Sequence, residues 1–184
     1  MAAQSTMKNM AVCLTVVCLV CSAVLGAVYA VTLDPIKEAA DKALKESVGK
    51  VLPSGGSISA AKEVEVDGVS YEYYQMTSDT AVVAYAVKST VIGFGGPLTV
   101  MVGVLPDGTV YNTSVLEHSE TPGLGAKCQG DEGFLAQFRG FKGVLKVRKD
   151  GGDVDAITAS TITSRAYTLA ISNAVKAMGR ISNE

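Results

Sequence analysis

The sequence predicts an α+β fold: a single N-terminal transmembrane helix, then a mainly antiparallel sheet domain with flanking helices. Three observations carry this. Residues 10–31 are an uncharged apolar run, the middle of the chain alternates with period two around turn signals, and an apolar stripe at helical spacing follows Ser164. The expected division is a membrane anchor over 1–33 and one domain over 34–184.

The 184 residues leave roughly 150 after the anchor, enough for a single domain with a real core. The formal charge of −2 is scattered, and the lack of a basic stripe argues against nucleic acid as a partner. Cys13, Cys18 and Cys21 fall in the apolar run, which leaves Cys128 alone in the domain. His118 is the one histidine. Neither a disulfide framework nor a zinc or iron–sulfur site has the ligand spacing it needs, so no metal is expected.

Taken in order, the elements justify the fold. MAVCLTVVCLVCSAVLGAVYAV, residues 10–31, gives about 33 Å of helix at ~1.5 Å per residue, against a hydrocarbon core of about 30 Å. A cleaved signal peptide is the competing reading, but its apolar region usually runs only about 7–15 residues. Lysines lie on both sides of the run, so charge alone leaves the orientation open. Large domains translocate largely regardless of such charges. The expectation is a single-pass protein of the cytoplasmic (inner) membrane, with its N-terminus cytoplasmic and its domain on the periplasmic or extracytoplasmic side.

Asp34-Pro35 is expected to end the span and start a second helix, with Asp34 as N-cap and Pro35 at the first helical position. Ile36, Ala39, Ala40, Ala43, Leu44 and Val48 form its stripe. LPSGGS (52–57) reads as a loop. KEVEV and VSYEYY flank Asp67-Gly68, a hairpin signal. TAVVAYAV (80–87) and PLTVMVGVL (97–105) read as buried strands. Pro106-Asp107-Gly108 then turns into the strand TVYNTSVLE. Asp131 is placed to cap a short helix carrying Phe134, Leu135 and Phe138, with Gly140 as its stop. GVLKVRK (143–149) reads as a further short strand. The last helix is expected to begin near Thr161–Ile162 and to run some four turns, with Tyr167, Ala170, Ile171, Ala174 and Met178 on one side.

Three segments resist a purely structural reading. IGFGGPL (92–98) is either a bend between strands or a backbone built for close approach to a ligand, and taken alone the bend is favoured. EHSETPGLGAK (117–127) carries His118, Glu120, Thr121, Pro122 and glycines around Leu124. It can offer N–H groups and one apolar side chain to a flat ligand, or it is a well-formed surface turn with His118 idle. DAITASTITSRAYT (155–168) sets Thr158, Ser160, Thr161, Thr163 and Ser164 at the start of a helix. A hydroxyl there caps the helix, binds a phosphate, or is itself esterified by one.

In that order, the N-terminal span, GFGGP, HSETPGLGAK and the hydroxyl-rich opening of the last helix resemble the G-subunit family of Rnf ion-translocating oxidoreductases (RnfG). The chain is similar also to the homologous C-type subunit of the sodium-pumping NADH:quinone reductase (NqrC). The likeness covers nearly the whole chain, and ETPGLG is its most specific part. It implies an FMN joined through its phosphate to a threonine in a Ser/Thr-Gly-Ala-Thr pattern that follows an aspartate. The matching residues are Thr158-Ala159-Ser160-Thr161 after Asp155, which makes Thr161 the acceptor and leaves Ser160 and Thr163 as alternatives. Ala159 and Ser160 depart from the pattern. The resemblance also implies that Thr163 and Ser164 serve the phosphate, and that Glu120, Thr121, Gly123, Leu124 and Gly125 meet the ring, with His118 and Lys127 nearby.

The expected function is then electron transfer by covalent FMN in a membrane complex that couples ferredoxin:NAD electron flow to Na⁺ or H⁺ translocation. This is a redox subunit with no acid, base or nucleophile of its own. Its partners would be the membrane, the other integral and peripheral subunits, and a flavin transferase during maturation. NqrC, from the quinone reductase, is the alternative within the family. A cofactor-free anchored assembly or binding module is the alternative of another class, and a hydrolase using Ser160 or Thr161 with His118 is a third, remote one.

Overall fold

The computed structural model describes residues 7–78, 81–142 and 144–182. The chain divides into two compact units, Met1–Lys42 and Ala43–Glu184.

Within the first unit lies most of one helix, α1, which runs Met7–Val51. Its most apolar 18-residue stretch has a mean hydropathy of 2.6, and the helix is long and apolar enough to cross a membrane. Thr15 Oγ1 donates to the Ala11 carbonyl and Thr32 Oγ1 to the Val28 carbonyl, both at 2.9 Å. These hydroxyls therefore need no water, as a span in lipid requires. The expected break at Asp34-Pro35 is corrected: α1 is continuous through Pro35. Proline removes one N–H from the helical ladder, but Lys37–Leu44 is rich in strong helix formers and carries the helix onward.

The second unit is a sheet covered on both faces. Its strands are β1 (Ser57–Ile58), β2 (Lys62–Val66), β3 (Val69–Ser78), β4 (Ala81–Ile92), β5 (Pro97–Val104) and β6 (Val110–His118). All pairings are antiparallel in the order β1-β3-β4-β5-β6, and β2 also pairs with β3. The hairpin at Asp67-Gly68 forms as the dipeptide predicts, with φ of 54° and 77°. Two positive φ values match the twist of the flanking strands. β4 extends to Ile92, beyond the expected end at Val87, and Thr80 lies outside the described residues. Ser57, expected in a loop, begins β1.

β5 is buried from Leu98 through Val104 because both sides of it are covered. On one face Val48, Val51 and Leu52, at the end of α1, pack on Met76, Ala84, Ala86 and Met101. The other face carries the larger core under the last helix, α4 (Thr161–Ile181), through Tyr167, Ala170, Ile171 and Ala174. α4 begins where the hydroxyl-rich segment predicts and is longer than the four turns expected, at 21 residues. Two short helices, α2 (Lys127–Gly130) and α3 (Glu132–Ala136), lie between β6 and α4 in sequence. Asp131 caps α3 by accepting from Phe134 N at 3.2 Å, and Gly140 follows with φ 70°.

The strand expected at 143–149 is also corrected. Gly143 lies outside the described residues, Val144 is exposed, and only an isolated parallel bridge joins Val147 to Val154. Arg148–Asp150 is a single 3-10 turn ending at Gly151 with φ 78°. Among the described residues of this stretch Val147 alone is buried, too little to seat a whole strand on the core.

Candidate functional site

β6 ends at His118, and two residues on Glu120 turns inward, only 5% exposed. Its carboxylate is fully engaged. Oε1 accepts from the Phe94 N–H at 2.7 Å, and Oε2 accepts from Thr163 Oγ1 at 2.7 Å. The carboxylate lies so close to Gly93 and Gly125 that a Cβ on either would collide with it. One side chain thus draws together the β4–β5 turn, the loop after β6 and the first turn of α4.

His118 supports this arrangement from behind. Its Nδ1 accepts from the Glu120 N–H at 3.2 Å, and its Nε2 faces Gln129 Oε1 at 3.1 Å. An accepting Nδ1 puts the neutral ring's proton on Nε2, which then donates to Gln129. The loop itself closes on Thr121, whose carbonyl accepts from Leu124 N and Ala126 N at 3.2 Å. Gly123 supplies the left-handed turn at φ 78°, leaving Leu124 exposed.

The start of α4 is built by its own hydroxyls. Ser164 Oγ donates to the Ser160 carbonyl at 3.0 Å and accepts from Ile157 N at 2.9 Å. Just before the helix Ala159 has φ 62°, so the tight turn that glycine makes easily is made here by alanine. Ser160 holds the N-cap position without a side-chain capping bond. The first-turn N–H groups, which have no partner within any helix, therefore receive no capping side chain there.

Between these segments lies an open cavity of about 350 Å³ lined by Phe94, by Glu120, Thr121, Leu124 and Gly125 of the loop, and by residues 159–163. Of the expected site residues, Thr161, Thr163, Glu120, Thr121, Leu124 and Gly125 meet there. Gly123 shapes the loop from outside the cavity wall, and Ser164 is buried with its hydroxyl committed to the turn. His118 and Lys127 do not line the cavity either. Sequence reasoning left out Phe94, 67% exposed on the rim, and Ile162, 51% exposed. An aromatic side chain between glycines in IGFGGPL was the available signal for Phe94.

Charge is distributed unevenly around Thr161. A second cavity on the Thr158–Thr161 segment is lined by Arg148, Lys149 and Asp155, with Arg148 Nε 2.6 Å from Asp155 Oδ1. Cys128 is buried in the core, and burial followed by the negative charge of Glu120 pushes its thiol from 9.0 up to about 11. The thiol is therefore neutral and unreactive at physiological pH. The arrangement offers N–H donors, hydroxyls and exposed apolar side chains, which suit a ligand with an anionic end and a flat apolar body.

Comparison with known proteins agrees with that chemistry. Residues 93–176 match the FMN-binding domain family. The chain is 32% identical over 167 residues to the G-type subunit of the proton-translocating ferredoxin:NAD(+) oxidoreductase complex of Clostridium ljungdahlii, covering 89% of this chain and 86% of that one. It is 33% identical over 170 residues to the G-type subunit of the ion-translocating oxidoreductase complex of Methanosarcina acetivorans, covering 89% and 90%. Among solved structures, the C-type subunit of the Na(+)-translocating NADH-quinone reductase from Parabacteroides distasonis matches with a TM-score of 0.51 at 27% identity, over 62% of this chain and 64% of that one. Shewanella oneidensis NqrC shares the fold, with a TM-score of 0.50 at 22% identity over 62% and 60%.

Proposed function

The chain belongs to the family of G subunits of ion-translocating oxidoreductase complexes, and we propose that it is the membrane-anchored electron-transfer subunit bearing FMN on Thr161. The linkage is a phosphodiester to the threonine hydroxyl. In this reading residues 1–33 anchor a domain, 34–184, on the extracytoplasmic side of the membrane. Its partners are the other subunits of a complex that couples ferredoxin:NAD electron flow to Na⁺ or H⁺ translocation, and a flavin transferase during maturation.

The observation that carries the reading is the meeting of Thr161, at the N-terminus of a 21-residue helix, with the Glu120–Gly125 loop at one cavity. The residues present fit FMN. Thr161 offers the ester oxygen, and the first turn of α4 offers N–H groups and the positive end of the helix dipole to the phosphate. Phe94, Leu124 and Ile162 are apolar and exposed at the rim, as a flat ring requires. Thr121 and the loop N–H groups are available to the ring's polar edge. Glu120, Thr163, Gly123, Gly125 and Ser164 fix the walls rather than supply reacting groups. When bound, FMN supplies the reversible uptake and release of electrons, and the protein supplies position and electrostatics.

The test is whether colour survives unfolding. Full-length chain is produced in detergent with a flavin transferase and then denatured in guanidinium. Flavin absorbance that stays with the wild-type chain and is missing from Thr161→Ala supports the reading. Flavin released on unfolding contradicts the covalent bond, and a colourless wild type returns the chain to a cofactor-free anchored module.

A further inference from the structure

We propose that the Ser160 hydroxyl is a ligand for the phosphodiester anion carried at Thr161, a hydrogen-bond donor set beside the N-terminus of α4. The inference rests on the reading of Thr161 as acceptor and adds a residue to that site.

Of the five hydroxyls in the segment, Thr163 and Ser164 are spent on Glu120 and on the turn. Thr158 is exposed, and Thr161 is the acceptor. Ser160 is different. It is only 7% exposed, lines the cavity, makes no capping bond, and no other described residue bonds its hydroxyl. A serine at the N-cap ordinarily turns its oxygen onto the N–H of the second or third helical residue. Here the chain enters the helix from Ala159 at φ 62°, and Ser160 takes φ −135° and ψ 45°, outside the usual extended N-cap geometry. Its hydroxyl and the first-turn N–H groups are thereby left to the same cavity.

The Ser160 oxygen is not among the buried polar atoms that lack a partner, so it is reached from the open cavity that Ser160 lines, and the ligand that suits a donor there best is an anion. The residue immediately after it provides one when esterified.

The test compares wild type, Ser160→Ala and Ser160→Cys as full-length chains in detergent, each prepared with and without flavin transferase. Intact mass establishes whether each chain is loaded. The melting temperature of loaded and unloaded forms and the ³¹P resonance of the loaded forms are then read. Both variants are expected to load. The rise in melting temperature on loading should be smaller than in wild type by at least about 2 °C, with the ³¹P resonance displaced. A variant that loads with the wild-type rise and the wild-type resonance overturns the role of Ser160 alone. So does a Ser160→Ala chain that loses the same stability loaded and unloaded, because that is the signature of a structural cap. A wild type that gains no flavin mass overturns the acceptor reading and this inference with it.

Discussion

Thr163 and Glu120, 43 residues apart in the chain, are joined by one buried hydrogen bond in which Thr163 Oγ1 donates to Glu120 Oε2 at 2.7 Å. Because the other carboxylate oxygen receives the Phe94 N–H, the bond ties α4 to two loops at once. Glu120→Ala leaves both donors without an acceptor and is expected to cost about 3 kcal/mol. Glu120→Gln keeps one acceptor, and its amide can donate to Thr163 Oγ1, so it should cost only about 1 kcal/mol. Urea unfolding of the two variants checks this, and equal losses would show that the carboxylate is not the tie.

Ala159 stands at a left-handed φ of 62°, where a Cβ is strained. Ala159→Gly should relieve that strain and stabilise the domain by about 1 kcal/mol, net of the extra freedom glycine gives the unfolded chain. Flavin loading should be kept. A less stable variant would mean that the turn does not bear the strain its φ implies.

Much of the fold was legible because the signals were local. Asp67-Gly68 needs two positive φ values and can only be a tight hairpin turn, and Asp131 reaches the N–H three residues on without tertiary help. Pro35 misled because a local rule was applied where a long helix tolerates one missing bond. GVLKVRK misled because it has the residues of a strand but, among the described residues, no partner beyond the isolated Val147–Val154 bridge. At the site, the hydroxyl cluster marked the helix start, and the ETPGLG loop marked its opposite wall. Nothing in the sequence said that Glu120 would turn inward to bind Phe94 N, since that contact depends on how 93–96 and 118–120 meet. The same long-range packing decides that Ser164 is consumed by the turn while Ser160 is not.

Cys128 gives a pH signature. Burial first, and then the charge of Glu120, raise the thiol from 9.0 to about 11, so the folded state holds its proton after the unfolded chain has lost it. This contribution to stability is complete below pH 9.0 and is lost as pH rises through about 11. Tyr167 is also raised, chiefly by burial and in smaller part by the charge of Cys128, and adds a loss of its own at alkaline pH. Cys128→Ala should therefore flatten the alkaline slope in urea midpoints, most of all in its lower part, where the thiol itself titrates. Superimposable profiles would contradict it.

Phe94 is exposed on the cavity rim, so its ring contributes little to folding. Phe94→Ala should leave the unloaded domain's stability within about 0.5 kcal/mol of wild type. In the loaded protein it should change flavin fluorescence and the visible spectrum, because an aromatic neighbour is removed from the ring. An unchanged spectrum would put the ring elsewhere.

The most direct test is the intact mass of the full-length chain made with a flavin transferase, measured beside Thr161→Ala, with the modified peptide then mapped. The expected result is a gain of one esterified FMN in the wild type, mapped to the peptide containing Thr161, and no gain in the variant. A gain that survives in Thr161→Ala would contradict the assignment and move the bond to Ser160 or Thr163. No gain in either chain, under conditions that load a related domain, would contradict the covalent electron carrier itself.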